Sequence, residues 1–273
     1  MNTVTISTLT PAIQRTVISL CNIIDELYKK DIELSRITKT ASLLLLSGLS
    51  LNSIPQKIVQ RCISEQKEDG GWVDVGDTMW STLLLSLYNG YKDRVSKGLK
   101  WLKEQMRDDH SWGRSKRDMG RIPVTGSLLY FLPELADKRS LQWLERTWIK
   151  ECYSITYKAS YTLMAFRKNN YQPEDKHLIK NTVEWLVGEQ SEDGGWKPWK
   201  AHPVESNVLC TGISLIGLLQ YPEFVDKTTI ERGIDWLIQN QLPNGLWRYH
   251  QIEDGASWGL ISLSLSVRYL EGR

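Results

Sequence analysis

One turn is written several times along this chain, and it restricts the fold more than any other feature. Glu65-Gln66-Lys67-Glu68-Asp69-Gly70-Gly71-Trp72 returns almost letter for letter as Glu189-Gln190-Ser191-Glu192-Asp193-Gly194-Gly195-Trp196. Looser copies run from Gln105 to Ser111-Trp112-Gly113 and over Gln241-Leu242-Pro243-Asn244-Gly245-Leu246-Trp247. A Gln followed about six residues later by a Trp, across a glycine-containing turn, is a repeat signature, and a repeat decides architecture before any local reading does. It also explains why 12 Trp stand against 3 Phe: one or two Trp per unit reach that number without a ligand.

Apolar residues at helical spacing place a pair of helices around each turn. The first pair is Ala12 to Lys30, opened by Thr10-Pro11, and Thr38 to Leu51, joined by a charged connection at Lys29 to Arg36. The pairs that follow are Ile54 to Gln66 with Thr78 to Tyr88, and Val95 to Gln105 with Val124 to Leu135. Leu141 to Lys150 with Ser154 to Phe166 is a degenerate fourth pair, lacking the Gln and the Gly-Gly. Asp175 to Gln190 with Asn207 to Leu219, and Thr228 to Gln241 with Ala256 to Tyr269, complete six. That is about 45 residues per unit, within the range of two-helix repeats. In each pair the first helix is amphipathic and the second apolar with small residues, which predicts half-exposed outer helices around buried inner ones. An open solenoid needs polar end repeats, yet both the first and the last pair carry apolar second helices. Closure removes that need. The expected fold is all-α, an (α/α)6 toroid in a single domain over residues 1–273.

The glycines supply positive φ where the chain turns off an outer helix. The Trp ring fits between neighbouring hairpins, and the Gln amide serves backbone groups at a helix end. Net charge is +2, which gives no pull toward nucleic acid or an anionic membrane. Cys21, Cys62, Cys152 and Cys210 are widely spaced without a CxxC and read as reduced thiols of a cytoplasmic protein. Met1 to Pro11 lacks the pattern of a secretory leader. The longest apolar stretch, Ala41 to Leu51, is too short to span a bilayer.

Gln66 to Trp72 and Gln190 to Trp196 resemble the Gln-Trp repeats of squalene and oxidosqualene cyclases, which the β subunits of protein prenyltransferases share in looser form. The resemblance covers Ile54 to Leu270 as spacing. It implies the same toroid, with a central cavity for an isoprenoid or other apolar molecule. Complement-like thioester domains share the toroid, but their Gly-Cys-Gly-Glu-Gln is absent from this sequence.

The resemblance also supplies two catalytic devices to test. Class II cyclases protonate an alkene with the middle aspartate of Asp-x-Asp-Asp-Thr-Ala. Here Asp74-Val75-Gly76-Asp77-Thr78-Met79 keeps the flanking aspartates and the threonine and puts Gly76 where the acid belongs. Shifted by one, Val75-Gly76-Asp77-Thr78 resembles the Asp-x-Asp-Thr form, with Asp77 as candidate general acid and Asp74 as its partner carboxyl. A proton donor of this kind needs a neighbouring carboxyl to orient it. The other reading is that Asp77 caps a helix beginning at Thr78. Prenyltransferases instead bind zinc through Asp-x-Cys and a distant His. Val208 stands where that Asp belongs before Cys210, so a zinc set of His202, Cys210 and His250 has little behind it and no metal is expected. No cofactor is expected either, except that Mg²⁺ would accompany a diphosphate substrate.

The mouth of such a toroid is built from the loops entering the inner helices. Candidate substrate-binding residues there are Trp80, Arg117, Arg121, Tyr157, Tyr161, His202 and Trp258. The Arg114 to Arg121 loop holds four basic residues ahead of an inner helix, suited to phosphate or carboxylate. Tyr153, Tyr157 and Tyr161 follow an i, i+4, i+8 spacing, a stripe suited to a cation. A solvated loop and ordinary core packing explain the same residues. The leading functional reading is a class II terpene cyclase-like protein acting on or binding an isoprenoid. The alternative is an inactive toroid that binds a lipid, peptide or protein. Carbohydrate chemistry is a third, with Asp77 paired to Glu253 or Asp254 across the cavity.

Overall fold

The structure, a computed structural model, describes residues 5–151 and 153–272. Its helices form six hairpins: α1 (Ile6–Lys29) with α2 (Leu34–Leu46), α3 (Gln56–Ser64) with α4 (Val75–Ser86), α5 (Lys92–Glu104) with α6 (Ile122–Phe131), α7 (Lys138–Lys150) with α8 (Thr156–Lys168), α9 (Leu178–Gly188) with α10 (Val208–Leu219), and α11 (Lys227–Gln239) with α12 (Ile252–Leu270). No strand occurs among the described residues.

The even-numbered helices make the inner ring. α2 packs on α4, α6 on α8, α8 on α10, α10 on α12, and α12 returns to α2; the α4–α6 seam is thin by comparison. Patterning explains the division. Nearly all of α10 is buried, from Val208 to Leu218, whereas α5 buries only Gly98 and Leu102 along its length. α2 needs no polar cap because α12 covers it, and the chain is the expected toroid.

The repeated turns are the fasteners. Each Trp sends its indole N–H to a carbonyl ten residues upstream: Trp72 to Cys62 (2.9 Å), Trp112 to Leu102 (2.7 Å), Trp196 to Leu186 (2.8 Å) and Trp247 to Leu237 (2.8 Å). Three Gln amides reach the next outer helix: Gln66 to the Arg94 carbonyl, Gln190 to Thr229, and Gln241 to Ala12 of α1. That last bond ties the sixth unit to the first. The positive-φ glycines sit against the same helices; a Cβ on Gly70 would lie 2.6 Å from the Lys97 carbonyl oxygen, and one on Gly194 2.7 Å from that of Arg232.

Several sequence expectations need correction, among them the start of α12, which lies at Ile252 rather than Ala256. α1 begins at Ile6 rather than Ala12, because the Thr5 backbone N–H bonds Thr8 Oγ1 (3.2 Å) and starts the helix there, leaving Pro11 inside it. α2 begins at Leu34 rather than Thr38, so part of the expected charged connection is helical. Asp77 does not cap a helix at Thr78: Asp74 is the N-cap, its Oδ1 accepting from the Asp77 N–H (2.9 Å), and Asp77 lies in the first turn of α4.

Candidate functional site

Asp74 and Asp77 enter one cavity of about 580 Å³ at the mouth, where the inner ring's α2, α4 and α12 meet. The short link from Trp72 to Asp74 sets their position, helped by a bond from the Val75 N–H to the Arg114 carbonyl (3.1 Å) in the neighbouring loop. Asp77 Oδ1 accepts from the Ser35 N–H (3.1 Å) in the first turn of α2. The acid thus satisfies an orphan donor of another helix. Gly76 keeps this region open; a Cβ there would come 3.3 Å from Asp74 Oδ1.

Burial raises the Asp77 carboxyl from 3.8 to about 6, and the adjacent Asp74 carboxylate adds to the rise through its charge and as a hydrogen-bond partner; the Ser35 donor works in the other direction. Asp77 thus holds its proton to higher pH than a free carboxyl does, which suits a proton donor.

The facing wall carries two ion pairs between α2 and α12. Arg36 puts Nε and Nη2 on Glu253 Oε1, each at 2.6 Å. Lys39 Nζ lies 2.5 Å from Asp254 Oδ1 and 5.4 Å from the ring centres of both Trp80 and Trp258. Glu253 is only 5% exposed, so its pairing with Arg36 is what makes its burial tolerable.

Below the mouth the axis is filled. Trp80 of α4, Phe131 of α6, Tyr161 of α8 and Trp258 of α12 converge from around the ring, with Trp80–Phe131 centroids at 5.1 Å, Phe131–Trp258 at 6.1 Å and Tyr161–Trp258 at 5.9 Å. These rings form an aromatic cluster, with the charged vestibule above it.

The remaining sequence candidates do not join this cavity wall. Arg121 is the N-cap of α6 and pairs with Asp118 (3.1 Å). Arg117 is exposed in the same loop. His202 packs its ring on Trp199 (4.2 Å) and accepts from the Val204 N–H (3.1 Å). Tyr157 is half-buried in the first turn of α8. The tyrosine stripe is broken, because α8 starts at Thr156; Tyr153 lies ahead of it at φ 57° and packs on Trp148 and Trp185. Among the described residues no group of His, Cys, Asp and Glu is arranged to hold a metal, so His202, Cys210 and His250 form no such set. Cys21, Cys62 and Cys210 are free thiols, with burial pushing Cys62 up to about 12 and Cys210 to about 11; Cys152 lies outside the described residues.

Sequence reasoning missed the contribution of α2, namely Ser35, Arg36 and Lys39. The available signal was the pair of cations three residues apart entering an apolar run, which is what two pairing partners across the ring require. It also missed Phe131, which reads as ordinary core at the end of α6. Glu253 and Asp254, considered as partners for Asp77, do reach the same cavity.

Residues 121–258 match the model of the squalene-hopene cyclase C-terminal domain; the match stops short of Asp74 and Asp77. Lanosterol synthase of Pneumocystis carinii is 36% identical over 89 residues, which is 29% of this chain and 12% of that one. This chain spans less than a third of the curated cyclases it matches. The type II terpene cyclase MstE from Scytonema superposes with TM-score 0.74 at 14% identity, over 97% of this chain and 100% of that one. A possible member of the GH105 family from Salmonella enterica superposes with TM-score 0.65 at 13% identity, over 96% and 94%. At these identities the two structures speak for the fold alone. No helix among the described residues is long and apolar enough to cross a membrane.

Proposed function

The chain belongs to the squalene-hopene cyclase C-terminal domain family, and on that premise we propose that it is a class II terpene cyclase-like protein in which Asp77 is the proton donor. The observation that carries the reading is the carboxyl pair: Asp77 is half-buried and raised to about 6, with Asp74 held against it by the cap of α4. A carboxyl raised above its ordinary range, with a second carboxyl fixed beside it, is the arrangement an acid-initiated step needs. The substrate would be an isoprenoid or other apolar molecule entering at the mouth, of the kind that MstE's structures name as geranylgeranyl dihydroxybenzoate. Its reactive alkene must meet Asp77 above Trp80, and a longer tail requires the Trp80–Phe131–Tyr161–Trp258 plug to part. Arg117, Arg121, Tyr157 and His202 would act on the ligand from outside the cavity wall, along its path of entry. A diphosphate head would bring Mg²⁺ with it. The free thiols agree with a cytoplasmic location.

One observation favours a second reading. The filled axis leaves no ready space for a hydrocarbon, as expected of a family member that has lost turnover and binds a lipid, peptide or protein over its mouth. Incubation with farnesyl, geranylgeranyl and geranylgeranyl-aryl substrates, with and without Mg²⁺, separates the two. Cyclised product from wild type, reduced at least 100-fold in Asp77→Asn and increasing as pH falls through 6, is the expected outcome. No product from wild type, or equal product from the variant, removes the acid role and leaves the binding reading.

A further inference from the structure

The outer helices α5, α7, α9 and α11 each carry a Trp-Leu pair: Trp101-Leu102, Trp143-Leu144, Trp185-Leu186 and Trp236-Leu237. On α5 and α11 the indole N–H of that Trp is held by the Asp of the preceding turn, Trp101 by Asp69 Oδ2 (3.1 Å) and Trp236 by Asp193 Oδ2 (3.0 Å). On α7, Trp143 has Asp109 of the preceding turn as its partner. α9 differs. The turn ahead of it is the degenerate one, and its carboxyl, Glu151, is engaged with Ser154 Oγ (3.3 Å) and Lys158 Nζ (2.6 Å). Trp185 packs its ring on Trp148 and Tyr153, but no described residue accepts from its N–H. The indole is half-buried and that donor reaches solvent.

Over it lies a groove of about 530 Å³, lined by Tyr153, Ile155, Trp185 and Trp199, with Glu189 and Lys200 as its charged residues. It shares no residue with the mouth cavity. The short turn explains it. The connection from α7 to α8 runs only from Glu151 to Ile155, against Glu65 to Asp74 in the second hairpin and Glu189 to Asn207 in the fifth, so less chain covers the Trp. Tyr153 holds a left-handed backbone (φ 57°), as Gly70 and Gly194 do in the full turns; for an aromatic residue that conformation is strained, and such strain gathers at functional sites. Trp199 is 41% exposed, and Ile149 at the end of α7 and Val204 beyond Trp199 are exposed as well. Clustered apolar exposure of this kind marks an interaction surface.

The fold itself shows what suits the groove. In the second and fifth turns the same donor meets a carboxylate borne on a peptide turn, and a charge-assisted bond of that type is stronger than a neutral one. The groove's own charges are one of each sign. Glu189 accepts from the Lys200 N–H, and Lys200 Nζ bonds the Gly188 carbonyl, so an incoming carboxylate meets no excess of like charge. A hydrocarbon or a cation would cover the Trp185 donor and leave it unpaired. We propose that this groove docks an acidic peptide segment of a partner protein, with an Asp or Glu carboxylate on the Trp185 N–H and an adjoining apolar side chain between Tyr153 and Trp199. The site is separate from Asp77 and does not depend on the acid reading.

Isothermal titration calorimetry on the full chain tests it. The main probe is a capped peptide copying Ser191 to Trp196, the segment whose Asp takes the Trp236 N–H in the folded chain. The comparison probes are the same peptide with Asn in place of that Asp, a capped hexaproline, and tetramethylammonium. The expected result is saturable binding of the Asp peptide, at least ten-fold weaker for the Asn peptide. Trp185→Phe keeps an aromatic ring and removes the donor, and should weaken the Asp peptide at least ten-fold. Trp199→Ala, at an exposed position, should weaken it as well. Trp236→Phe should bind like wild type, because the donor it loses is already occupied; thermal melts show that each variant is folded. Absence of Asp-peptide binding overturns the proposal. So does equal binding of the Asn peptide, tighter binding of hexaproline or tetramethylammonium, undiminished binding by folded Trp185→Phe, or equal weakening by Trp236→Phe. Asp77→Asn should leave peptide affinity unchanged, so the acid reading can fail while this one stands; peptide binding that disappears with Asp77 overturns the separate site.

Discussion

The second and fifth hairpins are entered through nearly the same turn and left in different ways. In both, the Gln amide bonds a carbonyl within its own turn and another on the next outer helix. In both, the turn's Asp takes a glycine N–H and the indole N–H of a Trp from the next outer helix: Asp69 with Gly71 and Trp101, Asp193 with Gly195 and Trp236. Even the threonine that receives the Trp N–H is equivalent, Thr78 in one and Thr211 in the other. The inner helices begin alike too. Asp74 caps α4 by accepting from the Asp77 N–H, and Asn207 caps α10 by accepting from the Cys210 N–H. Asp77 and Cys210 therefore hold the same position, one a carboxyl facing the mouth cavity, the other a thiol 2% exposed in the core. Everything the turn needs is kept, and the two positions it does not need are where chemistry can enter.

The largest test of this equivalence is Trp72→Ala against Trp196→Ala. Both indoles are fully buried and bond a helix-end carbonyl, so each substitution should cost about 3–5 kcal/mol, read from urea unfolding. A loss below about 1 kcal/mol in either would show that the two turns are not the same device. Gln66→Ala and Gln190→Ala should each cost about 1–3 kcal/mol, because two buried or part-buried carbonyls lose their donor; unequal losses would locate the weaker seam of the ring.

The smallest effect on stability and the sharpest on the site belongs to Asp74→Asn, which gives α4 the cap that α10 already has. Asn and Asp cap almost equally, so stability should change by less than about 0.5 kcal/mol. The Asp77 carboxyl should fall from about 6 toward its ordinary range, read by carboxyl ¹³C titration; an unmoved Asp77 would mean that burial alone sets it. The pH dependence of wild-type stability follows from the same shift. The folded Asp77 keeps its proton up to about 6, whereas the unfolded carboxyl loses it near 3.8. Its contribution is therefore most favourable below the lower value, declines as pH rises between the two, and levels off above the upper. Asp77→Asn should remove that slope, seen as a difference between the two proteins' urea midpoints from pH 3.5 to 7.

The fold was legible because its signals are local. Gln66 to Trp72 and Gln190 to Trp196 are close in sequence, and the glycines, the Trp and the small-residue inner helices each announce their own role. Helix ends were less legible: α1 and α2 begin four to six residues earlier than apolar spacing implies, with Thr5 and Glu33 as their N-caps. Of the site, Asp74, Asp77, Trp80, Glu253, Asp254 and Trp258 were visible as mouth residues. Ser35, Arg36 and Lys39 were not, because a cation on a helix reads as solvated until its partner, more than 200 residues away, is seen across the ring.

The sequence by itself determined the repeat, its closure into six hairpins and the outline of an acid motif with Gly76 in the acid's place. Those features depend on spacing and residue size, which a chain carries in one dimension. Tertiary structure alone decided what surrounds Asp77. It brought the Ser35 N–H and the Asp74 carboxyl to it, lined the vestibule with ion pairs between the first and last inner helices, and filled the axis with four aromatic rings from four hairpins. Burial, charge pairing and cavity shape are sums over distant residues, and only the closed ring adds them up.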